Sequence, residues 1–418
     1  MPLPPFSRAP GAPPRARLLP RLLPRLLAVL AVVLGTALAG PAPQARAAVT
    51  LIRVSDFGSN PGALTMYVYR PATLPAHPPV VVALHGCTQS AQVYADNSGL
   101  PQLADRDGFL LVLAETGTAN NASKCFNWFQ AGDNRRGQGE ALSVRQMAGH
   151  AVTAYGADPQ RVYVTGLSAG GAMTAVMLAA YPDVFSAGAV VAGLPYDCTR
   201  DNSPYTCMNP GVDLSPAAWA QRVRDAYPSY GGPWPRTAIW YGDQDTTVVP
   251  RNATELRDQW TALHGLSQTP TRTTTIGPDA TRQDQYLAAD GTVAVEVDRV
   301  PGIGHGTPVD PGTGSEQCGS TGAPYFLDSI CSSRWIARFF GLDTSDPGGP
   351  DPDPGGGTAA CWTASNYAHV QAGRATTSGG YTYAKGSQQN IGLYNTFVTH
   401  TLKESPAGYF TLADGGCP

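Results

Sequence analysis

Hydrophobic and polar positions follow two patterns along residues 48–342. Short apolar runs, typical of strands buried on both faces, occur at 64–69, 80–84, 109–114, 161–165, 187–192, 237–241 and 293–300. Segments with helical or small apolar character lie at 140–155, 169–181, 255–264 and 332–340. Strands that alternate with helices predict an α/β fold, in which a mostly parallel sheet is covered by helices on both faces.

Residues 1–47 form a separate segment. They carry six arginines and no acidic residue, an uncharged apolar run spans 26–40, and Ala45-Arg46-Ala47 offers a small-residue cleavage site. This order predicts a secretory signal peptide. A membrane anchor is the alternative, but fifteen helical residues reach only about 22 Å, which is short of a bilayer core of ~30 Å. We therefore expect a secreted, extracellular protein without a membrane anchor after cleavage.

Residues 343–360 divide the remaining chain. They are rich in Asp, Pro and Gly, contain no aromatic residue, and are predicted to form a semi-extended linker. The linker separates a domain at 48–342 from a small domain at 361–418. The whole chain, with a formal charge of −3 and 42% hydrophobic residues, is neither a basic nucleic-acid binder nor a disordered protein.

The strongest chemical signal is the motif Gly166-Leu167-Ser168-Ala169-Gly170. It lies between a predicted strand and a predicted helix, which is the context that a G-x-S-x-G nucleophile elbow requires. A serine hydroxyl needs a neighbouring base to become a good nucleophile. The motif therefore predicts Ser168 as a nucleophile that works with a histidine and an acid.

The chain order serine, acid, histidine selects the partners of Ser168. His264 ends a predicted helix, whereas His305 lies in a glycine-rich loop after a predicted strand, so His305 is the predicted base. Asp245 follows the strand at 237–241 and fits the G-x-x-D-x-x-V spacing found in many hydrolases of this type, so it is the predicted acid, with Asp243 as the alternative.

An oxyanion hole needs two backbone N–H donors. One belongs to Ala169, the residue after the nucleophile, and the other is expected after the strand at 80–84. Here the sequence His85-Gly86-Cys87 matches the H-G loop of α/β-hydrolases, so the N–H groups of Cys87 and Ala169 are the predicted oxyanion hole. His85 is expected to support this loop, and a purely structural role is the alternative. No cysteine–histidine cluster has the spacing of a zinc site, and we expect neither a metal nor another cofactor.

Five segments resemble extracellular poly(3-hydroxybutyrate) depolymerases whose lipase box lies in mid-chain. They are HGCTQ (85–89), CFNWF (125–129), RRGQGEALSVRQM (135–147), GLSAGG (166–171) and GHGTPVDPG (304–312). The resemblance covers nearly all of 50–340. It implies an α/β-hydrolase fold, hydrolysis of short-chain hydroxyalkanoate esters, and a triad of Ser168, Asp245 and His305.

Two other functions remain open. Feruloyl and acetylxylan esterases share much of the same pattern, so a carbohydrate esterase with a carbohydrate-binding tail is the alternative enzyme. A non-catalytic surface-adhesion protein is a third hypothesis, which the complete triad disfavours.

The small domain contains eight aromatic residues and only five charged ones. CWTASNYAHVQAGRA (361–375) and YAKGSQQNIGLYNTFVTHTL (383–402) resemble the C-terminal substrate-binding domain of the same depolymerases. We expect this domain to bind solid polyester, although about half of its aromatic residues are expected to form its core instead. The residues expected to contact polymer are Trp362, Tyr381, Tyr383, Tyr394 and Phe397.

All eight cysteines follow residue 47, which fits disulfide formation in an oxidising compartment. Cys361 and Cys417 bracket the small domain and are expected to pair. Fifteen pairings remain for the other six. Sequence proximity favours Cys198–Cys207 and Cys318–Cys331, which leaves Cys87–Cys125. Nothing in the sequence indicates more than a monomer.

Overall fold

A computed structural model describes residues 48–322, 324–343, 360–387, 389–404 and 410–414. The predicted signal peptide, residues 344–359 of the predicted linker and Cys417 lie outside these ranges. Asp343, the first residue assigned to the linker, instead pairs with Arg338 of the last helix in the large domain (3.1 Å). Within the described ranges, no helix combines the length and the hydropathy needed to cross a membrane.

The large domain is built on one ten-stranded sheet with the order β1-β2-β4-β3-β5-β6-β7-β10-β9-β8. Its strands are β1 (Ile52–Val54), β2 (Thr65–Tyr69), β3 (Val80–Leu84), β4 (Leu110–Glu115), β5 (Val162–Leu167), β6 (Ala187–Val191), β7 (Arg236–Gly242), β8 (Arg272–Ile276), β9 (Thr281–Leu287) and β10 (Val293–Val300). The six central strands, from β4 to β10 in sheet order, are parallel, and the two outer strands on each side pair antiparallel.

Helices cover both faces of this sheet. They are α1 (Ala91–Ser98), α2 (Leu100–Asp107), α3 (Gly139–Tyr155), α4 (Ala169–Ala180), α5 (Pro204–Met208), α6 (Pro216–Ala226), α7 (Arg251–Leu263) and α8 (Ser332–Phe340). Alternate residues of a strand point to opposite faces, and β3 shows the result. Val82 joins a core with α3, α4, α6 and α7, whereas Val81 joins a second core with α1, α2 and α8. The fold is that of an α/β-hydrolase.

The sequence pattern missed β8 and β9. Their residues are largely polar, and four of the five residues of β8 are exposed, so these strands lack the apolar run that marks a strand buried on both faces. Two further short strands, β11 (Thr307–Val309) and β12 (Phe326–Asp328), form a separate parallel pair.

The small domain has its own two sheets and its own core. Strands β13 (Ala360–Ser365), β17 (Thr399–Glu404) and β18 (Phe410–Leu412) form one sheet, and β14 (Ala375–Ser378), β15 (Tyr381–Ala384) and β16 (Asn390–Leu393) form the other. Helix α9 (Asn366–Gln371) follows β13. The core is small and consists of Ala375, Ala384, Ile391, Leu402 and Phe410.

Three disulfides lie in the large domain, and they are the two that sequence proximity favoured and the one that those two left over. They join Cys87 to Cys125, Cys198 to Cys207 and Cys318 to Cys331, with Cα–Cα distances of 4.2, 6.0 and 5.4 Å. Cys361 is also disulfide-bonded. The pairing predicted for it involves Cys417, which is outside the described residues.

Candidate active site

The predicted site residues meet at the carboxyl edge of the parallel strands. His85 directly follows β3, Ser168 follows β5, Asp245 lies three residues after β7, and His305 lies five residues after β10. Because parallel strands end at the same edge of a sheet, loops from four separate parts of the chain converge there.

Ser168 occupies a strained turn between β5 and α4. Its φ of 56° lies in a region that residues other than glycine seldom adopt. Such strained backbone conformations are common at functional sites. The flanking glycines permit close approach to β3. A Cβ at Gly166 would lie 2.7 Å from the Leu84 carbonyl oxygen, and one at Gly170 would come closer still. The G-x-S-x-G spacing is therefore needed for this turn to pack.

Ser168, His305 and Asp245 form one hydrogen-bonded chain. His305 Nε2 lies 2.9 Å from Ser168 Oγ, and His305 Nδ1 lies 2.7 Å from Asp245 Oδ2. The other oxygen of the buried Asp245 carboxylate accepts the backbone N–H groups of Thr247 and Val248. A carboxylate accepts, so Nδ1 carries a proton and Nε2 is left to accept the serine hydroxyl. This arrangement can deprotonate Ser168 during nucleophilic attack.

Asp243, the alternative acid, serves the loop that carries His305. It accepts the backbone N–H of Gly302 at 2.8 Å and pairs with the Arg299 guanidinium at 2.9 Å. Although desolvation works in the opposite direction, these two contacts hold the pKa of Asp243 below its ordinary value. Asp243 therefore anchors the start of the loop, whereas Asp245 contacts the imidazole.

Two backbone N–H groups, one in the loop after β3 and one directly after Ser168, have no acceptor among the described residues. They belong to Cys87 and Ala169, the residues predicted to form the oxyanion hole. Residues 85–89, which we call the oxyanion loop, are held by the Cys87–Cys125 disulfide and by a hydrogen bond from the Thr88 N–H to the Ser123 carbonyl (2.7 Å). The geometry leaves both donors available to a developing oxyanion.

His85 fixes the direction of the Cys87 N–H. Its Nε2 accepts the Thr116 N–H (3.3 Å), so Nδ1 carries the proton that is donated to the Gly86 carbonyl (2.7 Å). In a trans peptide the carbonyl and the following N–H point in opposite directions, so anchoring the Gly86 carbonyl also orients the Cys87 N–H. Burial lowers the pKa of His85 to about 4, which keeps the ring neutral in this role.

Sequence reasoning missed a buried acid behind this loop. Glu140, at the start of α3, accepts the Asn127 N–H at 2.7 Å and the Thr116 hydroxyl at 3.3 Å. Burial raises the pKa of Glu140 to about 7. Glu140 thus connects the CFNWF segment to Thr116, which in turn contacts His85. The signal available in the sequence was an acidic residue inside RRGQGEALSVRQM.

Sequence reasoning also missed Gln89 and Tyr325. The buried Gln89 side chain bonds to Gly86 of the oxyanion loop and to Pro324, and the Tyr325 ring lies 5.7 Å from the His305 ring. Gln89 belongs to the HGCTQ segment, but no local pattern indicates Tyr325.

The aromatic residues expected to bind polymer fall into two groups. Tyr381, Tyr394 and Phe397 are exposed, and Phe397 is 90% exposed. Trp362 and Tyr383 are only partly exposed. Trp362 packs against Phe410, with ring centroids 5.8 Å apart, so part of its ring belongs to the core, and its contact with polymer stays a prediction. A small domain needs aromatic residues for its own core.

Tyr367 was not among the predicted contacts. It is 43% exposed, and its ring lies 5.6 Å from that of Tyr394.

Among the described residues, no cluster of three or more His, Cys, Asp or Glu side chains is arranged to hold a metal ion.

Comparisons with known proteins find similarity to esterases. The family described as "Esterase PHB depolymerase" matches residues 63–282. Poly(3-hydroxyalkanoate) depolymerase C of Paucimonas lemoignei is 50% identical over 294 residues, which cover 70% of this chain and 70% of that protein. An acetylxylan esterase of Coprinopsis cinerea is 37% identical, with 64% of this chain and 72% of that protein covered.

The feruloyl esterase B of Talaromyces stipitatus is 34% identical, over 75% of this chain and 87% of that protein. Among solved structures, the acetyl xylan esterase from Aspergillus awamori superimposes with a TM-score of 0.56 and 30% sequence identity. That similarity covers 61% of this chain and 94% of the other.

Proposed function

Because the chain belongs to the esterase PHB depolymerase family, we propose that it is a secreted serine esterase that hydrolyses poly(3-hydroxybutyrate)-type polyesters to short hydroxyacids. The coarser assignment, a hydrolase that acts on esters, follows from the family and the fold. The observation that carries the finer one is the 50% identity with a poly(3-hydroxyalkanoate) depolymerase, against 37% and 34% for the two carbohydrate esterases.

The proposed reaction begins at Ser168. His305 Nε2 takes the hydroxyl proton as Ser168 Oγ attacks the carbonyl carbon of an ester. Asp245 keeps the proton on Nδ1 and stabilises the imidazolium that forms. The 2.9 Å and 2.7 Å contacts support this step because both hydrogen bonds are in place before substrate arrives.

The negative charge that develops on the carbonyl oxygen meets the N–H groups of Cys87 and Ala169. Donors that are already oriented stabilise such a charge without reorganising during the reaction. Collapse of the tetrahedral intermediate breaks the bond to the alcohol oxygen, which takes the proton from His305. Water then hydrolyses the acyl-serine by the same route, with His305 as the base.

A surface of the small domain is suited to adsorption on a solid polyester. Tyr381 pairs with Leu393 in adjacent strands, Tyr394 follows Leu393, and the Tyr367 ring lies beside that of Tyr394. Phe397 extends the same segment, and all five side chains are exposed. We call Tyr367, Tyr381, Leu393, Tyr394 and Phe397 the aromatic patch. Exposed large apolar side chains that are gathered in one part of a fold are typical of an interaction site.

Secretion is part of the proposal. Three disulfides in the large domain support an oxidising destination, since such bonds persist outside the cytosol. In this proposal, the basic and apolar segments of residues 1–47 act as the secretory signal peptide.

A carbohydrate esterase is the second candidate. The observation in its favour is the superposition with an acetyl xylan esterase, which covers nearly all of that structure. The same triad can cleave an acetyl or feruloyl ester, so the two candidates differ in the substrate that the surface around the triad accepts.

Clearing of an opaque poly(3-hydroxybutyrate) suspension tests the proposal. Wild-type protein is expected to clear it and release hydroxybutyrate, whereas Ser168→Ala is expected to lose at least about 10⁴-fold in rate. Release of acetate or ferulate from xylan by the wild type, without clearing, would favour the second candidate. Clearing by Ser168→Ala would contradict the mechanism.

A further inference from the structure

Tyr325 lies beside the catalytic imidazole in an unusual conformation. Its ring centroid is 5.7 Å from that of His305, with the two planes at 72°. Its φ is 73°, in the left-handed region that a bulky residue seldom adopts. The residue is nevertheless 42% exposed, and its hydroxyl bonds to no described residue. Neither core packing nor hydrogen bonding of the side chain therefore explains why a tyrosine stands here.

The backbone of Tyr325 is held from two sides. Gln89 donates through Nε2 to the Pro324 carbonyl at 2.7 Å and accepts the Gly86 N–H through Oε1 at 2.8 Å. On the other side, the Thr307 N–H donates to the Tyr325 carbonyl at 2.8 Å. One contact leads to the oxyanion loop and the other to the loop of His305.

The surrounding segment is also closed covalently. The Cys318–Cys331 disulfide spans the part of the chain that contains Tyr325, and β12, which begins at the next residue, pairs with β11. A strained residue persists only where its surroundings over-determine it, and such residues cluster at ligand-binding sites.

The chemistry says which part of a substrate must come to this place. When the tetrahedral intermediate collapses, His305 gives its proton to the alcohol oxygen that leaves. That alcohol has to lie against the imidazole, and the exposed Tyr325 ring borders the same ring. The acyl group, in contrast, is joined to Ser168 Oγ, and its oxygen points to Cys87 and Ala169.

From this placement we infer that the Tyr325 ring forms one wall of the subsite for the leaving alcohol. An aromatic face there packs against the alkyl part of the alcohol. The ring therefore favours esters with longer alcohol chains and does not discriminate among acyl groups. The inference rests on the proposed roles of Ser168 and His305, but it does not require that the natural substrate be a polyester.

Two series of soluble esters test the inference on the full-length secreted protein. Methyl, propyl and pentyl acetate vary the alcohol, and methyl acetate, butyrate and hexanoate vary the acyl group. Tyr325→Asn is the main variant because asparagine tolerates a left-handed backbone. Tyr325→Phe keeps the ring, and Tyr325→Gly repeats the test if the asparagine variant folds poorly.

The wild type is expected to gain in kcat/KM along the alcohol series. Tyr325→Asn should lose about tenfold on pentyl acetate, mainly through KM, and less than about twofold on methyl acetate, because the lost contact is with the added methylene groups. Tyr325→Phe should behave like the wild type. In the acyl series both variants should follow the wild type.

Other outcomes overturn the inference. An equal loss on every ester, through kcat, means that Tyr325 acts only by holding His305. A loss that follows acyl length places the ring on the wrong side, and a wild type without any gain along the alcohol series removes the subsite. Ser168→Ala, measured in parallel, reports separately on the proposed function, which fails if that variant still hydrolyses methyl acetate.

Discussion

The carboxyl edge of the large sheet and the aromatic patch of the small domain use side chains in opposite ways. At the edge, the polar side chains of Asp245, His85 and Glu140 are buried, and each is hydrogen-bonded. In the small domain, large apolar side chains such as Phe397 are exposed to solvent. The contrast is the basis of the proposed division of labour, in which the large domain cleaves esters and the small domain adsorbs to polymer.

Each arrangement has a physical reason. A buried polar group is costly unless it has a partner, but a partnered one is fixed in place and acts in a medium of low dielectric constant. An exposed apolar side chain does little for the fold, yet it gains free energy when a solid apolar surface covers it. Substitutions at the carboxyl edge should therefore lower the rate of hydrolysis of every ester. Substitutions in the aromatic patch should lower the rate on solid polymer alone.

The largest effect is expected from the two aspartates near His305. Asp245→Asn replaces the acceptor of the Nδ1 proton and should lower kcat on p-nitrophenyl acetate by about 10⁴-fold. Asp243→Asn is the matched control. Its amide oxygen can still accept the Gly302 N–H, and the lost ion pair with the half-exposed Arg299 is worth little. The loss should be less than about tenfold.

Equal losses in the two variants would contradict the assignment of Asp245 as the acid. A larger loss in Asp243→Asn would exchange the two roles.

The positions of Ser168, Asp245 and His305 could be predicted from the sequence because each lies in a loop just after a recognisable buried strand. Local spacing was enough to prefer Asp245 to Asp243. Tyr325 and Gln89 could not be found in this way, because Gln89 meets Pro324 across 235 residues of chain and only the folded topology brings them together.

The burial of Glu140, which sets its protonation state, could not be predicted from the sequence either. A glutamate near the start of a helix is usually solvated, and nothing local shows that this one lies beneath the Asn127 segment. The same limit applies to β8 and β9, since their polar composition resembles that of a loop until β10 is in place beside them.

An intermediate effect is expected from Glu140 as the pH changes. Its pKa is about 7 in the folded protein, against an ordinary value of 4.5, so the folded state holds a proton that the unfolded state releases between these values. The free energy of unfolding of the wild type should therefore fall, relative to Glu140→Gln, by about 3 kcal/mol as pH rises from 4.5 to 7. Urea unfolding of both proteins across this range measures the difference.

A constant difference between the two proteins over this range would show that Glu140 does not titrate there. A difference that grows in favour of the wild type would mean that hydrogen bonds to the carboxylate outweigh its burial.

Substitutions in the aromatic patch should change the rate of hydrolysis of soluble esters least. They also test the proposed division of labour most directly. The variant Tyr381→Ser/Tyr394→Ser/Phe397→Ser removes exposed rings, and Ile52→Ser, which removes an exposed apolar side chain from the large domain, is its control. The measurement is the ratio between clearing of a poly(3-hydroxybutyrate) suspension and hydrolysis of p-nitrophenyl acetate. The triple variant should lose about tenfold or more in clearing and less than about twofold on the soluble ester, while Ile52→Ser keeps the wild-type ratio. An unchanged ratio in the triple variant would contradict the account.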